Sequence, residues 1–213
     1  MPSLTDQVRS HRASRLCLPP SHQLVSPHTA PVASIHIDPT EQRYLLSGGA
    51  DGQLALFDAA PCLAASADTA SAAGGGGSGG GPAPVKPLAV IPRGGGHGHQ
   101  YSVRSVLWYP HDTGMFLSSG MDDCVKVWDT NVLETVCEFS FPGNVNATAM
   151  SPLPNAHALV AGACSNSAVL LCDLVSSGQT HMLCAHRASV LAVKWSPSNE
   201  SHLFTAGQDG SVF

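Results

Sequence analysis

The chain has 213 residues, enough to bury one good hydrophobic core. Its 10 Lys and Arg against 15 Asp and Glu give a formal net charge of −5, which excludes the basic field that direct binding to a nucleic-acid backbone needs. No apolar run reaches the length of about 18 residues typical of a membrane span. The N-terminus lacks a long apolar segment, so a membrane protein and a secreted protein are not expected.

Residues 1–26 are predicted to form an N-terminal tail. Pro19 and Pro20 interrupt it, and one short basic helix over 8–16 is the alternative to a frayed segment. Its basic cluster is interpreted as a solvated terminus rather than as a nucleic-acid contact. The seven cysteines of the chain are an odd number without a C-x-x-C pair, which is typical of reduced thiols in a cytosolic or nuclear protein.

Four segments of the chain repeat when they are aligned on a proline: VASIHIDP, VRSVLWYP, VNATAMSP and VLAVKWSP. The intervals between the last three prolines, Pro110, Pro152 and Pro197, match a repeat period of about 40–45 residues. The interval from Pro39 to Pro110 is longer and contains an insertion. The repeats predict four units, at about 27–92, 99–140, 141–184 and 186–213, within one domain over 27–213.

Each unit is predicted to consist of short β-strands. In the second unit the alternation of apolar and polar residues predicts strands over 103–109, 115–119, 124–128 and 133–140. The dipeptides Asp51-Gly52 and Asp209-Gly210 favour tight hairpins, since glycine accepts a positive φ. The fold class is therefore all-β.

The insertion at 59–84 contains SAAGGGGSGGGPAP, which has too little apolar surface to offset the entropy of ordering. It is predicted to be a disordered loop between the third and fourth strands of the first unit. A phosphate-binding P-loop is the functional alternative, but the G-K-[ST] sequence that it requires is absent.

Polar residues recur in register with the repeat. A histidine precedes the first strand, a serine or threonine lies in the second strand, an aspartate begins the next turn, and a tryptophan lies near the end of the third strand. The second unit has His99, Ser118, Asp122 and Trp128. The first has His28, Ser47 and Asp51, with Phe57 in place of tryptophan, and the fourth has His186, Thr205 and Asp209. In the third unit Gly162, Asn166 and Cys172 fill the matching places.

This pattern resembles the WD-repeat family. The resemblance implies a WD40 β-propeller in which the four residues form a structural hydrogen-bond chain. The indole donates only, the carboxylate accepts only, and the imidazole and hydroxyl do both, so a buried chain of these groups can be fully satisfied. The third unit is expected to rely on packing alone.

A narrower resemblance rests on the run YSVRSVLWYPHDTGMFLSSGMDDCVKVWDTN, supported by RYLLSGGADG, LCDL and HRASVLAVKWSP. These segments are similar to the Cockayne syndrome group A family, over roughly 24–58 and 86–213. The resemblance implies a nuclear, non-catalytic substrate receptor of a cullin-RING ubiquitin ligase in transcription-coupled nucleotide excision repair. Its partners would be the ligase's propeller adaptor and repair or transcription proteins, with no cofactor, no metal and no direct nucleic-acid contact.

Family members of this kind have seven blades, whereas the repeat arithmetic predicts about three and a half here. The sequence thus predicts an incomplete propeller whose uncovered apolar face leads to poor solubility or self-association. Two alternatives stay open: a generic WD-repeat scaffold of another nuclear complex, and a truncated, non-functional fragment.

HDTGMF either forms a structural turn or presents His111 and Asp112 to a partner.

Two enzyme hypotheses compete with this interpretation. A Ser-His-Asp protease is disfavoured because the set recurs with the repeat, which one active site would not do. A metal site could draw on H-x-x-C-x-H and nearby histidines. It is disfavoured because His99 and His186 hold repeat positions, and because His181 and Cys184 lie on an alternating strand where residues i and i+3 face opposite sides. Its candidate ligands are His97, His99, His181, Cys184 and His186.

Overall fold

The computed structural model describes residues 24–60, 84–153 and 157–213, which form fourteen β-strands in four antiparallel sheets. Most of the predicted tail at 1–26 and of the insertion at 59–84 lies outside these residues. The alternatives of a short helix over 8–16 and of disorder in the insertion therefore stay predictions. No helix in the described ranges is long and apolar enough to cross a bilayer.

The first sheet has the strand order β1-β2-β3-β4. Gly52 takes a φ of 83° in the turn between β2 and β3, as the Asp-Gly pair predicts. Since β4 pairs with β3, the segment that contains the insertion links the third and fourth strands of this sheet. The strands are β1 (Val32–Ile37), β2 (Tyr44–Gly49), β3 (Leu54–Asp58) and β4 (Ala89–Ile91).

The second sheet repeats this order with β5 to β8. Its strands match the predicted ranges within one residue. β8 begins at Glu134 rather than at the predicted residue 133, because Leu133 has a φ of 57° and lies in the preceding turn. The strands are β5 (Val103–Trp108), β6 (Met115–Gly120), β7 (Cys124–Asp129) and β8 (Glu134–Ser140).

The third sheet has four strands, and the fourth sheet has two. A bridge between Ala206 and Val212 begins a further pairing beyond the last strand. The third sheet contains β9 (Val145–Met150), β10 (Leu159–Cys164), β11 (Val169–Asp173) and β12 (Gly178–Leu183), and the fourth contains β13 (Val190–Trp195) and β14 (Leu203–Gly207).

Three hydrophobic cores lie between consecutive sheets. The first sheet buries Leu46 and Leu54 against Trp108 and Trp128 of the second. The core between the second and third sheets is larger, and the one between the third and fourth packs small alanines against larger side chains that include Trp195. Each sheet therefore packs face to face on the next one, which explains why both faces of its middle strands are apolar.

The first strands of the four sheets lie side by side and are joined by side-chain hydrogen bonds. Ser34 Oγ in β1 accepts from Val106 N in β5 at 3.1 Å. Further along, Asn146 Nδ2 in β9 donates to Val190 O in β13 at 2.8 Å. Sheets arranged around adjacent inner strands are the blades of a β-propeller. The predicted all-β arc of propeller blades is confirmed.

The two end faces of this arc carry exposed apolar side chains. On the first sheet Ile35 is 64% and Ile37 52% exposed, and on the last Phe204 is 52% and Val212 71% exposed. Exposed patches of this kind favour association. Self-association of the 213-residue chain stays a prediction.

Candidate functional site

The four repeat residues of the second sheet lie in one buried hydrogen-bond chain. The indole Nε1 of Trp128 donates to Ser118 Oγ at 2.8 Å, and Ser118 Oγ lies 2.6 Å from His99 Nε2. His99 Nδ1 lies 2.8 Å from Asp122 Oδ2, which also accepts from Gln100 N at 3.0 Å. With the His99 proton on Nδ1, each donor in this chain meets an acceptor.

The hydrogen-bond chain of the second sheet keeps the carboxyl of Asp122 ionised. Burial raises the pKa of the carboxyl, but the hydrogen bond and attraction of His99, with smaller contributions from Cys124 and Gln100, outweigh burial and hold the pKa at about 2. The side chain of Asp122 is only 8% exposed. The hydrogen-bond chain thus connects the loop before β5 to the turn after β6.

The first and fourth sheets contain shorter versions of the chain. In the first, His28 lies 3.2 Å from Asp51 and 2.8 Å from Ser47 Oγ. In the fourth, His186 Nε2 lies 2.9 Å from Thr205 Oγ1, and its Nδ1 lies 3.3 Å from Asp209. The structure therefore brings together the repeat residues within each sheet, and each set stays separate from the others.

A glycine two residues before each aspartate belongs to this arrangement and was missed at the level of sequence. A Cβ on Gly49 would lie 2.4 Å from His28 Nδ1, and one on Gly207 would lie 2.4 Å from His186 Nδ1. Gly120 is as confined, with a Cβ position 2.7 Å from Ser102 O. The recurring Gly-x-Asp spacing is the signal that identifies these glycines.

The third sheet fills the same position with an aromatic ring. Phe141 precedes Val145 by four residues, as His99 precedes Val103, and it is buried. A Cβ on Gly162 would lie 2.3 Å from Phe141 Cε1, so only glycine leaves room for the ring. The fully buried Cys172 stands where the second sheet has Trp128. An apolar contact replaces the polar chain in this sheet.

The five residues of the disfavoured metal hypothesis do not form one cluster. Within the described ranges, the one group of three or more His, Cys, Asp and Glu side chains with donor atoms close together is His99, Asp122 and Cys124. Both nitrogens of His99 already have partners. Burial and then the Asp122 charge raise the pKa of the Cys124 thiol far above neutrality, so it stays protonated. His99 and Asp122 are thus used by the hydrogen-bond chain of the second sheet.

The HDTGMF segment connects β5 to β6 and combines a structural turn with an exposed imidazole. Asp112 Oδ1 accepts from Gly114 N at 2.8 Å, which fixes the turn. His111 is exposed and lies edge-on to Tyr109, with ring centroids 5.5 Å apart. Asp112 thus has a structural role in the turn, whereas His111 takes no part in that hydrogen bond.

Residues 19–58, 87–129 and 177–213 match the WD40 family, described as WD domain, G-beta repeat. The chain belongs to the WD40 family. The three matches cover more than half of the sequence and contain the polar chains of the first, second and fourth sheets. The WD40 pattern leaves out residues 130–176, which hold the strands β8 to β11 and the Phe141–Gly162 contact.

Two similar WD40 proteins and one solved structure narrow the comparison. The WD repeat-containing protein ATCSA-1 of Arabidopsis thaliana is 38% identical over 99% of this chain and 44% of its own length. A ribosome biogenesis protein, the WDR12 homolog of Chlamydomonas reinhardtii, is 32% identical over 54% of this chain and 26% of its own. The RRP9 WD40 repeats superpose with a TM-score of 0.69 at 16% identity, covering 89% of this chain and 49% of theirs.

These coverages establish two facts. The chain spans less than half the length of the curated WD40 proteins that it matches. The structural match, at 16% identity, shows the propeller fold alone.

Proposed function

We propose that this WD40 chain acts as a non-catalytic substrate-recognition or scaffold subunit of a nuclear cullin-RING ubiquitin ligase in transcription-coupled nucleotide excision repair. The observation that carries the proposal is the 38% identity with ATCSA-1 along 210 residues, which includes the segment that resembles the Cockayne syndrome group A family. Its partners are the propeller adaptor of the ligase and repair or transcription proteins.

The use of the polar residues supports a role without catalysis. In each of the three sheets that carry it, the histidine is engaged with its own aspartate and hydroxyl inside the protein. A hydroxyl that must act as a nucleophile has to be open to a substrate. Ser118 is instead fully buried and accepts from Trp128. The net charge of −5 favours protein partners over nucleic acid.

The match to a ribosome biogenesis protein supports a second candidate, a WD40 scaffold in another nuclear complex. This match covers about half of the chain at lower identity than the match to ATCSA-1. The generic repeat accounts for much of such a similarity, because WD40 strands and turns share residue types at fixed spacings. The first candidate is therefore preferred.

The experiment is direct binding between the purified 213-residue chain and the purified propeller adaptor of a cullin-RING ligase, measured by biolayer interferometry. The WDR12 homolog of Chlamydomonas reinhardtii serves as the matched WD40 control. Saturable binding of the adaptor to this chain and not to the control supports the ligase function. Equal binding to both proteins, or binding to neither, would contradict it.

A variant of the exposed His111 tests whether the HDTGMF segment presents a contact. His111→Ala leaves the Asp112–Gly114 turn intact, and His181→Ala removes another exposed histidine from β12. We expect His111→Ala to weaken capture of a repair or transcription partner, and His181→Ala to leave it unchanged. Identical capture by both variants and the parent chain assigns a purely structural role to the segment.

A further inference from the structure

A cavity of about 200 Å³ lies where the four inner strands end. It is lined by residues near the ends of β1, β5, β9 and β13 and by three of the four prolines that define the repeat: Pro39, Pro110 and Pro152. We call it the proline-rimmed cavity. Because proline has no backbone N–H, these three residues contribute no backbone donor at the rim.

The polar groups of this cavity are hydrogen-bond donors. Lys194 from β13 is exposed, and it has no ion-pair partner in the portion of the chain that the structure describes. His36 from β1 accepts from Trp108 N through Nδ1 at 3.2 Å, so its ring carries the proton on Nε2. No lining residue of the cavity has a carboxylate.

Two tryptophans contribute their rings to the wall of the cavity. Trp108 and Trp195 line the cavity, and the Nε1 of each is buried without a hydrogen-bond partner among the described residues. Their rings, with Leu107 and Met150, form an apolar wall beside the charged groups.

The charges around the cavity are positive on balance. Two effects lower the pKa of His36: burial, which is the larger, and the positive charge of Lys194. The lysine of the fourth sheet is therefore close enough to the imidazole of the first sheet to repel its protonated form. Asp38 acts against this, but its carboxylate is fully buried. It accepts the backbone N–H groups of residues 41 to 44 at 2.6–3.0 Å. That negative charge is therefore already engaged.

We propose that the proline-rimmed cavity binds an acidic segment of a partner protein. One carboxylate of the segment pairs with Lys194 and accepts from His36, and an adjoining aliphatic side chain packs against Met150 and the tryptophan rings. The volume suits one or two side chains, since it is below the range of about 300–1,000 Å³ of sites for drug-sized ligands. Recognition is local, because the net charge of −5 does not attract an acidic ligand.

The test uses the full chain and a fluorescein-labelled peptide, acetyl-Ser-Leu-Glu-Asp-Leu-Ser amide, in fluorescence anisotropy. The neutral peptide with Gln and Asn in place of Glu and Asp is the ligand control. We expect the acidic peptide to bind saturably and the neutral one about tenfold more weakly, the size of one charge contact. Tryptophan emission should change on binding, since two of the three tryptophans line the cavity.

Lys194→Gln tests the site itself, and Lys86→Gln, which changes an exposed lysine in the segment before β4, is the matched control. Lys194→Gln should weaken the acidic peptide about tenfold, and Lys86→Gln should leave its affinity unchanged. Equal losses in both variants, equal affinity for the two peptides, or no saturable binding would overturn the proposal. Binding of a single-stranded RNA oligonucleotide in place of the peptide, with the same dependence on Lys194, would also overturn it.

Discussion

The ring of Phe141 occupies the space that any side chain on Gly162 would need, with Phe141 Cε1 only 2.3 Å from the Cβ position of the glycine. In the second sheet the same two positions hold His99 and Ser118, which form a hydrogen bond. The third sheet has therefore replaced a polar pair with an aromatic ring and a gap. The ring of Phe141 and the absence of a side chain at Gly162 are therefore complementary.

The replacement of the His–Ser pair by Phe141 and Gly162 predicts that substitutions at positions 141 and 162 are strongly coupled. Gly162→Ser alone should lower the free energy of unfolding by about 1–3 kcal/mol, because its side chain overlaps the ring. Phe141→His alone should cost a similar amount, since it buries an imidazole without its hydroxyl partner. The double variant should lose at least about 1 kcal/mol less than the sum of the single losses. Urea unfolding measures all three, and simple additivity of the losses would contradict the coupling.

The second prediction concerns the hydroxyls of the first and second sheets. Ser118→Ala leaves both His99 Nε2 and Trp128 Nε1 without a partner, whereas Ser47→Ala affects only His28, because Phe57 replaces the tryptophan. We expect Ser118→Ala to lower the free energy of unfolding by about 2–3 kcal/mol and Ser47→Ala by about half as much. Chemical denaturation of the two variants compares the losses. A loss for Ser47→Ala as large as that for Ser118→Ala is the contrary result.

The third prediction concerns acid stability. The folded pKa of Asp122, about 2, lies below its ordinary value of 3.8. Since the folded pKa is depressed, the contribution of Asp122 is complete above about pH 4 and is lost as the pH falls towards 2. The depression corresponds to about 2 kcal/mol.

Asp122→Asn removes the titrating group and should flatten this part of the stability profile relative to the parent chain. Asp112→Asn, a change of the same type in an exposed turn, serves as the control for the loss of one negative charge. Thermal unfolding between pH 2 and pH 5 measures both. If the slope of Asp122→Asn equals that of the parent, the carboxylate of Asp122 does not contribute as the structure indicates.

The fourth prediction concerns the thiols. Burial raises the pKa of Cys164 to about 11 and that of Cys172 to about 12, whereas Cys184 is exposed. Only the thiolate reacts with iodoacetamide. At pH 8 Cys184 should react before Cys164 and Cys172, which should react only after urea unfolds the chain. Mass spectrometry of each cysteine peptide gives the rates, and rapid labelling of Cys172 in the folded protein would exclude this arrangement.

The repeat spacing was sufficient to predict the strands and the pairing of residues such as His99 with Asp122, because both depend on a fixed distance from the repeat proline. It did not reveal the role of Phe141. A phenylalanine in an apolar strand pattern carries no mark of its function until the missing Cβ of Gly162 is placed beside it. The proline-rimmed cavity was also not predicted, because His36 and Lys194 meet only when the curvature of the four sheets is known.

The contact between Phe141 and Gly162 in the third sheet has a consequence for how blades are counted in WD40 proteins. The WD40 pattern passes over residues 130–176, although the sheet that they help to build has four strands and buries both of its faces. Counting blades by the His, Ser or Thr, and Asp residues of the polar chain therefore gives only a minimum number of blades. A stretch of about 40 residues with a phenylalanine four positions before the inner strand and a glycine in the next strand should be counted as a blade.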